Sequence, residues 1–224
     1  MAQYSTISTV ADQEQVTTGF SEESANQFTH GIGFIFSVLG SVYLLSMPGL
    51  TAVTRIGCWI YAASMIALYA ASTLSHSFDS GPSRTKYRTL DQICIFTFMA
   101  GIFTPISLQA CDGWWHLPLL LMWMLVGLGT WLKLRVTREE MVPVWFYILL
   151  GAVPMLAFPR ILELVGTQGM MWILAASVCY LIGIVFLTND HRSRFFHPTW
   201  HVLVMLGSVC HYVAIVEYTV TATS

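Results

Sequence analysis

Charged residues divide this chain into long uncharged intervals, and that spacing limits its fold more than any other feature. Each interval is about 19 residues or longer, close to the ~20 apolar residues that an α-helix needs to cross a bilayer. The intervals lie between Glu23 and Arg55, Arg55 and Asp79, Asp91 and Asp112, Asp112 and Lys133, Glu140 and Arg160, Glu163 and Asp190, and Arg194 and Glu217. Only 10% of the residues are charged and 55% are hydrophobic, whereas about a quarter of a soluble domain is charged. The sequence therefore predicts an integral membrane protein.

The predicted fold class is an all-α, seven-transmembrane-helix bundle. The approximate spans are 27–48, 56–77, 91–111, 114–133, 141–159, 169–188 and 196–217. The loops between these spans are short and no internal repeat is visible, so the helices are expected to form one bundle. The predicted division of the chain is a short polar cytoplasmic tail over 1–25, a membrane domain over 26–218 and a short outer tail over 219–224.

The positive charges predict the orientation of the bundle. Of the ten Lys and Arg residues, only Arg55 and Arg160 fall outside the loops that follow the second, fourth and sixth predicted helices. Cytoplasmic loops carry an excess of Lys and Arg. We therefore expect a multi-pass protein of the cell membrane, the inner membrane in a bacterium, with a cytoplasmic N-terminus and an outer C-terminus. A net charge of −2 without a basic domain gives no reason to invoke nucleic acid.

Four ionisable residues are predicted to share one depth in the bundle. His76 closes the second predicted helix, Asp91 opens the third, and His197 and His201 open the seventh. Ionisable groups inside a membrane span are costly, so they are candidates for a functional site. The predicted topology brings all four to the cytoplasmic third of the bundle.

The two histidines of the seventh helix have the spacing of metal ligands. Because His197 and His201 are four residues apart, their side chains lie on one helix face and can share a metal. A third imidazole from His76 would complete a three-nitrogen zinc site with the fourth position free for water. Asp91 can orient that water, and the Ser72 hydroxyl, one turn before His76, can reach the water or a substrate carbonyl. The alternatives are two histidines hydrogen-bonded in a polar mouth of the bundle, and a Ser72 hydroxyl bonded to its own helix backbone.

Other polar residues of the first and last helices have less certain roles. With Glu23 and Asn26, His30 can hydrogen-bond to a metal ligand or relay a proton, although a hydrogen-bonded cap on the first helix is the favoured interpretation. His211 lies fourteen residues beyond His197, which returns it to nearly the same face about 21 Å deeper. That depth predicts a polar residue in the core that does not share the metal.

Taken together, four motifs resemble the hemolysin III family, the bacterial-type branch of the progestin and adipoQ receptor (PAQR) proteins. They are the EESANQFTHG segment from Glu22 to Gly31, the Ser72-to-His76 segment, Leu90-Asp91, and the HPTWHVLV segment from His197 to Val204. The resemblance covers essentially the whole chain from Glu22 onward. The Asn-x-x-Thr-His-Gly pattern is similar to the hemolysin III branch and differs from the adiponectin receptors, so hormone binding is not expected.

The resemblance implies that His76, His197 and His201 bind zinc, with Ser72 and Asp91 near the water on the metal. The wider group includes alkaline ceramidases, which favours a zinc-dependent hydrolase of a lipid amide or ester that changes membrane lipid composition or fluidity. Its partners would be membrane lipids, one of them the substrate or ligand.

Two other functions stay open. In a non-enzymatic regulator or receptor, a structural zinc would be closed by a fourth protein ligand, either Asp91 or, less readily, Cys94. A cytolytic pore, which the family name suggests, is the least favoured because the spans carry no charged pore lining.

Overall fold

The computed structural model describes residues 22–78, 80–135 and 142–220, and it confirms the predicted all-α fold. The α-helices are α1 (Glu22–Ser46), α2 (Ala52–Ser75), α3 (Gly81–Ala110), α4 (Leu117–Arg135), α5 (Val144–Ala152), α6 (Phe158–Thr188) and α7 (Phe196–Ile215). Short 3₁₀ turns precede α4, join α5 to α6 and precede α7. Most of the predicted cytoplasmic tail, and the predicted outer tail beyond Val220, lie outside the described residues.

Six helical stretches in the described part of the chain are long and apolar enough to cross a membrane, whereas we predicted seven separate spans. The difference arises between Val144 and Thr188, where a single stretch of 45 residues contains the predicted fifth and sixth spans. The Arg160 and Glu163 side chains, expected to lie in a loop, instead belong to α6 and pair with each other at 3.1 Å. Three-residue spacing on a helix brings such a pair together, so these charges do not require a loop.

This stretch is not one straight helix, because its helical backbone is interrupted at Gly166. The backbone there has φ 63° and ψ −176°, a conformation essentially confined to glycine. Gly151 and Tyr180 line the same cavity of about 110 Å³, yet a straight helix would separate them by about 44 Å at 1.5 Å per residue. The chain must therefore reverse its direction between Gly151 and Tyr180. Gly166, the non-helical residue inside α6, lies between these two residues.

Two glycines allow close helix packing near the candidate site. A Cβ atom at Gly33 would lie 2.6 Å from the Tyr69 ring, and one at Gly183 would lie 2.6 Å from the Trp200 ring. The first contact joins α1 to α2 and the second joins α6 to α7. Because either contact excludes a larger side chain, the two glycines let aromatic rings of α2 and α7 fill the space between helices.

The third helix begins at Gly81, ten residues before the predicted start at residue 91. Ser80 is the extended N-cap residue and proline stands in the first turn, where its missing N–H costs nothing. Arg84, Lys86 and Arg88, which we expected in a loop, are therefore helical. Asp91 consequently lies about three turns inside α3 and does not open it.

Candidate metal centre

Three histidines converge at one end of the bundle. His76 is the C-cap residue of α2, with φ −95° and ψ 1°, and its N–H bonds to the Ser72 carbonyl. His197 and His201 lie in the first two turns of α7, which begins at Phe196. The three ring centroids are 4.8 to 5.1 Å apart, and one ligand atom from each lies within 4.8 Å of the others. The predicted ligand trio is thus brought together.

This triangle fits a tetrahedral metal ion. Zinc binds imidazole nitrogen at about 2.0–2.1 Å, which puts two ligand nitrogens about 3.4 Å apart, so small ring rotations would close the triangle. Within the described ranges, no cysteine, aspartate or glutamate joins the three histidines at ligand distance. The chain therefore offers three nitrogen ligands here, which is the ligand number of an open rather than a closed site.

In each of the three imidazoles, the Nδ1 atom contacts an oxygen atom of a residue outside the histidine triad. The pairs are His76 with Glu23 (2.6 Å), His197 with Asp190 (3.3 Å) and His201 with Thr29 (3.2 Å). The Nε2 atom of each ring is left as the ligand atom. An outer oxygen on the second ring nitrogen is the usual arrangement around histidines that bind metals.

Glu23 joins three helices around His76. One carboxylate oxygen accepts from the His76 ring, and the other accepts from Arg84 of α3 at 2.5 Å. A metal binds a neutral histidine through its unprotonated ring nitrogen, and the Glu23 carboxylate at Nδ1 leaves Nε2 for that role.

Ser72 and Asp91 lie beside the triad and not among its members. Ser72 is buried one turn before His76, and its Oγ atom has no hydrogen-bond partner of normal geometry in the described part of the chain. The Asp91 carboxyl interacts with the hydroxyl groups of Ser72 and Ser75. The Ser72 hydroxyl and the Asp91 carboxyl thus form a small polar cluster next to His76. The Ser72 hydroxyl has hydrogen-bonding capacity that the described side chains leave unused.

His30 stacks on His201. The prediction that His30 caps the first helix through a hydrogen bond is wrong. It lies inside α1, with 3% of its surface exposed, and its edge faces Tyr69. Neither ring nitrogen has a hydrogen-bond partner among the described residues, nor does Oδ1 of the buried Asn26. The close approach of α1 to α7 explains why the predicted cap does not form, because it brings the His201 ring over the His30 ring.

His211 lies apart from the histidine triad, as its position in the sequence predicts. It lines the cavity of about 110 Å³ and stacks on Tyr180, with ring centroids 5.7 Å apart. Sequence reasoning missed two residues that do contact the triad, Thr29 and Asp190. Thr29 has a weak signal, because it follows Asn26 by three residues and so shares its helix face. Asp190 gives no such signal in the sequence, because it lies in the turn before α7.

These features define a class: a helical, multi-span membrane protein with three histidines that can hold a metal ion at one end of its bundle. The chain belongs to the hemolysin III family, because residues 18–212 match the family model described as Haemolysin-III related. It is 30% identical over 217 residues to Hemolysin-3 of Bacillus cereus, covering 94% of this chain and 97% of that protein. It is 27% identical over 203 residues to the Hemolysin-3 homolog of Bacillus subtilis (strain 168), covering 89% and 95% respectively.

Proposed function

We propose that this protein is a zinc-dependent hydrolase that cleaves an amide or ester bond of a membrane lipid. His76, His197 and His201 bind the metal through their Nε2 atoms. The observation that carries the proposal is this three-nitrogen set, with no fourth protein ligand among the described residues. Catalytic zinc sites usually have three protein ligands, whereas structural zinc sites usually have four.

The chemistry divides between the metal and the neighbouring side chains. Zinc, when bound, is a Lewis acid that polarises a carbonyl and lowers the pKa of water towards about 7. Asp91 accepts a proton from the attacking water, and the Ser72 hydroxyl orients that water or the substrate carbonyl. The water oxygen bonds to the carbonyl carbon, the bond to nitrogen or oxygen breaks, and Asp91 returns the proton to the leaving group.

An apolar groove beside the centre supports a lipid substrate. It has a volume of about 270 Å³ and lies between α1, α2 and α7, where its lining includes Phe36, Met65 and Met205. Tyr69 lines the groove and contacts His30, the ring that stacks on His201. A single acyl chain fits such a surface, so turnover would change the lipid composition or fluidity of the membrane.

The protein lies in the cell membrane with seven crossings, a cytoplasmic N-terminus and an outer C-terminus. The reversal at Gly166 supports two crossings within Val144–Thr188. The concentration of Lys and Arg in alternate loops supports the orientation. The metal centre then faces the cytoplasm.

Two alternative functions have weaker support. A non-enzymatic regulator with structural zinc would need a fourth protein ligand, and neither Asp91 nor Cys94 joins the triad. Cytolysis is suggested by the name of the Bacillus cereus relative, Hemolysin-3. That name describes the relative alone.

One assay separates the three functions. The purified, zinc-loaded protein is incubated with vesicles made from a total lipid extract, and products are identified by mass spectrometry, beside a His197→Ala/His201→Ala variant. Zinc-dependent release of a fatty acid, absent from the double variant, is the expected result. Leakage of a dye trapped in the vesicles without lipid cleavage would instead favour cytolysis, and neither change would favour the regulator.

A further inference from the structure

The three histidines of the candidate metal centre differ in the kind of oxygen that holds each one. Glu23 is a carboxylate fixed by Arg84, Thr29 is a hydroxyl inside α1, and Asp190 is a carboxylate in the turn before α7. We propose that Glu23, Thr29 and Asp190 are positioning residues, which hold each imidazole with its hydrogen on Nδ1 and its lone pair on Nε2. This inference rests on the proposed zinc centre.

Thr29 is the outer partner that bears on the tautomer of His201. Its hydroxyl donates to the carbonyl oxygens of Ala25 and Asn26, both at 3.0 Å. A hydroxyl has one hydrogen, and we assign it to one of these carbonyl oxygens of α1, so that the Thr29 oxygen accepts from the His201 ring. Nδ1 of His201, 3.2 Å away, then carries the hydrogen. The lone pair of the neutral ring is then on Nε2, which leaves that atom to bind the metal.

Glu23 makes the shortest of the three contacts and is itself held in place. A carboxylate oxygen only accepts, so the 2.6 Å contact requires a hydrogen on Nδ1 of His76. Arg84 binds the second oxygen of the same carboxylate at 2.5 Å. A carboxylate fixed at both oxygens cannot rotate away from the imidazole, so the ring is restrained in orientation as well as in tautomer.

Asp190 makes the longest and most exposed contact. Its side chain is 43% exposed, and its oxygen lies 3.3 Å from Nδ1 of His197. Exposed polar contacts contribute less than buried ones. We therefore expect the three positioning residues to differ in effect, with Glu23 and Thr29 each more important than Asp190.

Zinc affinity of the purified full chain tests the proposal through matched variants. Thr29→Val keeps the shape of the side chain and removes its oxygen, whereas Thr29→Ser keeps the oxygen. Thr73→Val is the control, because Thr73 also donates to a carbonyl one turn earlier, at 2.7 Å, but holds no histidine. Loss of an outer partner typically weakens metal affinity about 10–100-fold. We expect a loss of that size, measured by competition with a chelator, for Thr29→Val and Glu23→Ala, and near-normal affinity for Thr29→Ser and Thr73→Val.

A second measurement does not depend on metal binding or on any variant. Carbon-13 NMR of histidine side chains distinguishes the two neutral tautomers, and His201 of the zinc-free protein is expected to carry its hydrogen on Nδ1. A hydrogen on Nε2 would overturn the inference, as would Thr29→Val binding zinc as tightly as the parent. A parent protein that binds no zinc would refute the proposed function, while the tautomer would still decide this inference. The two failures are therefore distinguishable.

Discussion

His30 lies flat against His201, with ring centroids 3.6 Å apart and planes 17° from parallel. His201 is a candidate metal ligand, and both nitrogens of His30 lack a hydrogen-bond partner among the described residues. The contact is therefore made through the faces of the rings, and it packs His30 against the ring of a candidate metal ligand.

Substitution of His30 separates packing from proton transfer. His30→Ala removes a buried ring and should destabilise the protein by about 2–4 kcal/mol, with weaker zinc binding. His30→Phe keeps a flat ring and removes nitrogens that make no hydrogen bond to the described residues, so stability and zinc content should stay close to those of the parent. Unfolding in detergent and elemental analysis measure both. Loss of lipid hydrolysis in a stable, zinc-loaded His30→Phe variant would instead support a proton relay through His30.

Zinc content should depend most strongly on the three converging histidines. The purified protein should hold about one zinc ion per chain, and alanine at His76, His197 or His201 should lower occupancy steeply, because two ligands rarely retain zinc. His211→Ala is the control, since His211 lies in a separate cavity. Full occupancy in the His197→Ala/His201→Ala variant would show that the metal binds elsewhere.

Asp91 distinguishes catalysis from a structural role. Asp91→Asn keeps the size of the side chain and removes the proton acceptor, so lipid hydrolysis should fall about 10²–10⁴-fold while zinc stays bound. Asp112→Asn is the matched control, because Asp112 follows α3 at the opposite end of that helix from Asp91. Joint loss of zinc and thermal stability in Asp91→Asn would instead identify Asp91 as a structural ligand.

The reversal at Gly166 makes a prediction about stability. With φ at 63°, alanine at this position should cost about 1–3 kcal/mol, although no atom lies within 4 Å of the added Cβ. Gly127 also has open space around it but lies in regular α4 helix, so Gly127→Ala should stabilise by about 0.5–1 kcal/mol. Equilibrium unfolding of the two variants gives the comparison. Equal effects would mean that residue 166 is ordinary helix.

The same reversal makes a prediction about topology. Thr167 is exposed and next to the turn, so a cysteine there should react with an impermeant thiol reagent added outside intact cells. Ser193→Cys, in the turn before α7, should react only after the membrane is opened. The parent chain, with its five free cysteines, supplies the background. If Thr167→Cys does not react with the reagent from either side of the membrane, the result would indicate that Val144–Thr188 crosses the membrane once.

The sequence was most informative where spacing alone decides geometry. The four-residue interval between His197 and His201, and the charges that bound each apolar interval, predicted the all-α fold and the histidine trio. The start of α3 was missed because Arg84 and its neighbours look like a loop, whereas a proline in the first turn begins a helix there. Thr29 and Asp190 were missed for another reason. Their contacts depend on how α1 and the turn before α7 approach the histidines, and tertiary packing of that kind leaves at most a weak sequence signal, such as the helix face that Thr29 shares with Asn26.

The candidate metal centre draws its ligands from distant parts of the chain, with His76 about 120 residues before His197. At a synthesis rate of about 5–20 residues per second, roughly 6–24 seconds separate the first ligand from the second. A growing chain would carry one ligand for that whole interval, and one imidazole holds zinc weakly. Metal acquisition would therefore be a late event in biogenesis, after α7 has entered the membrane, and bound zinc would mark the chains whose second and last helices have met.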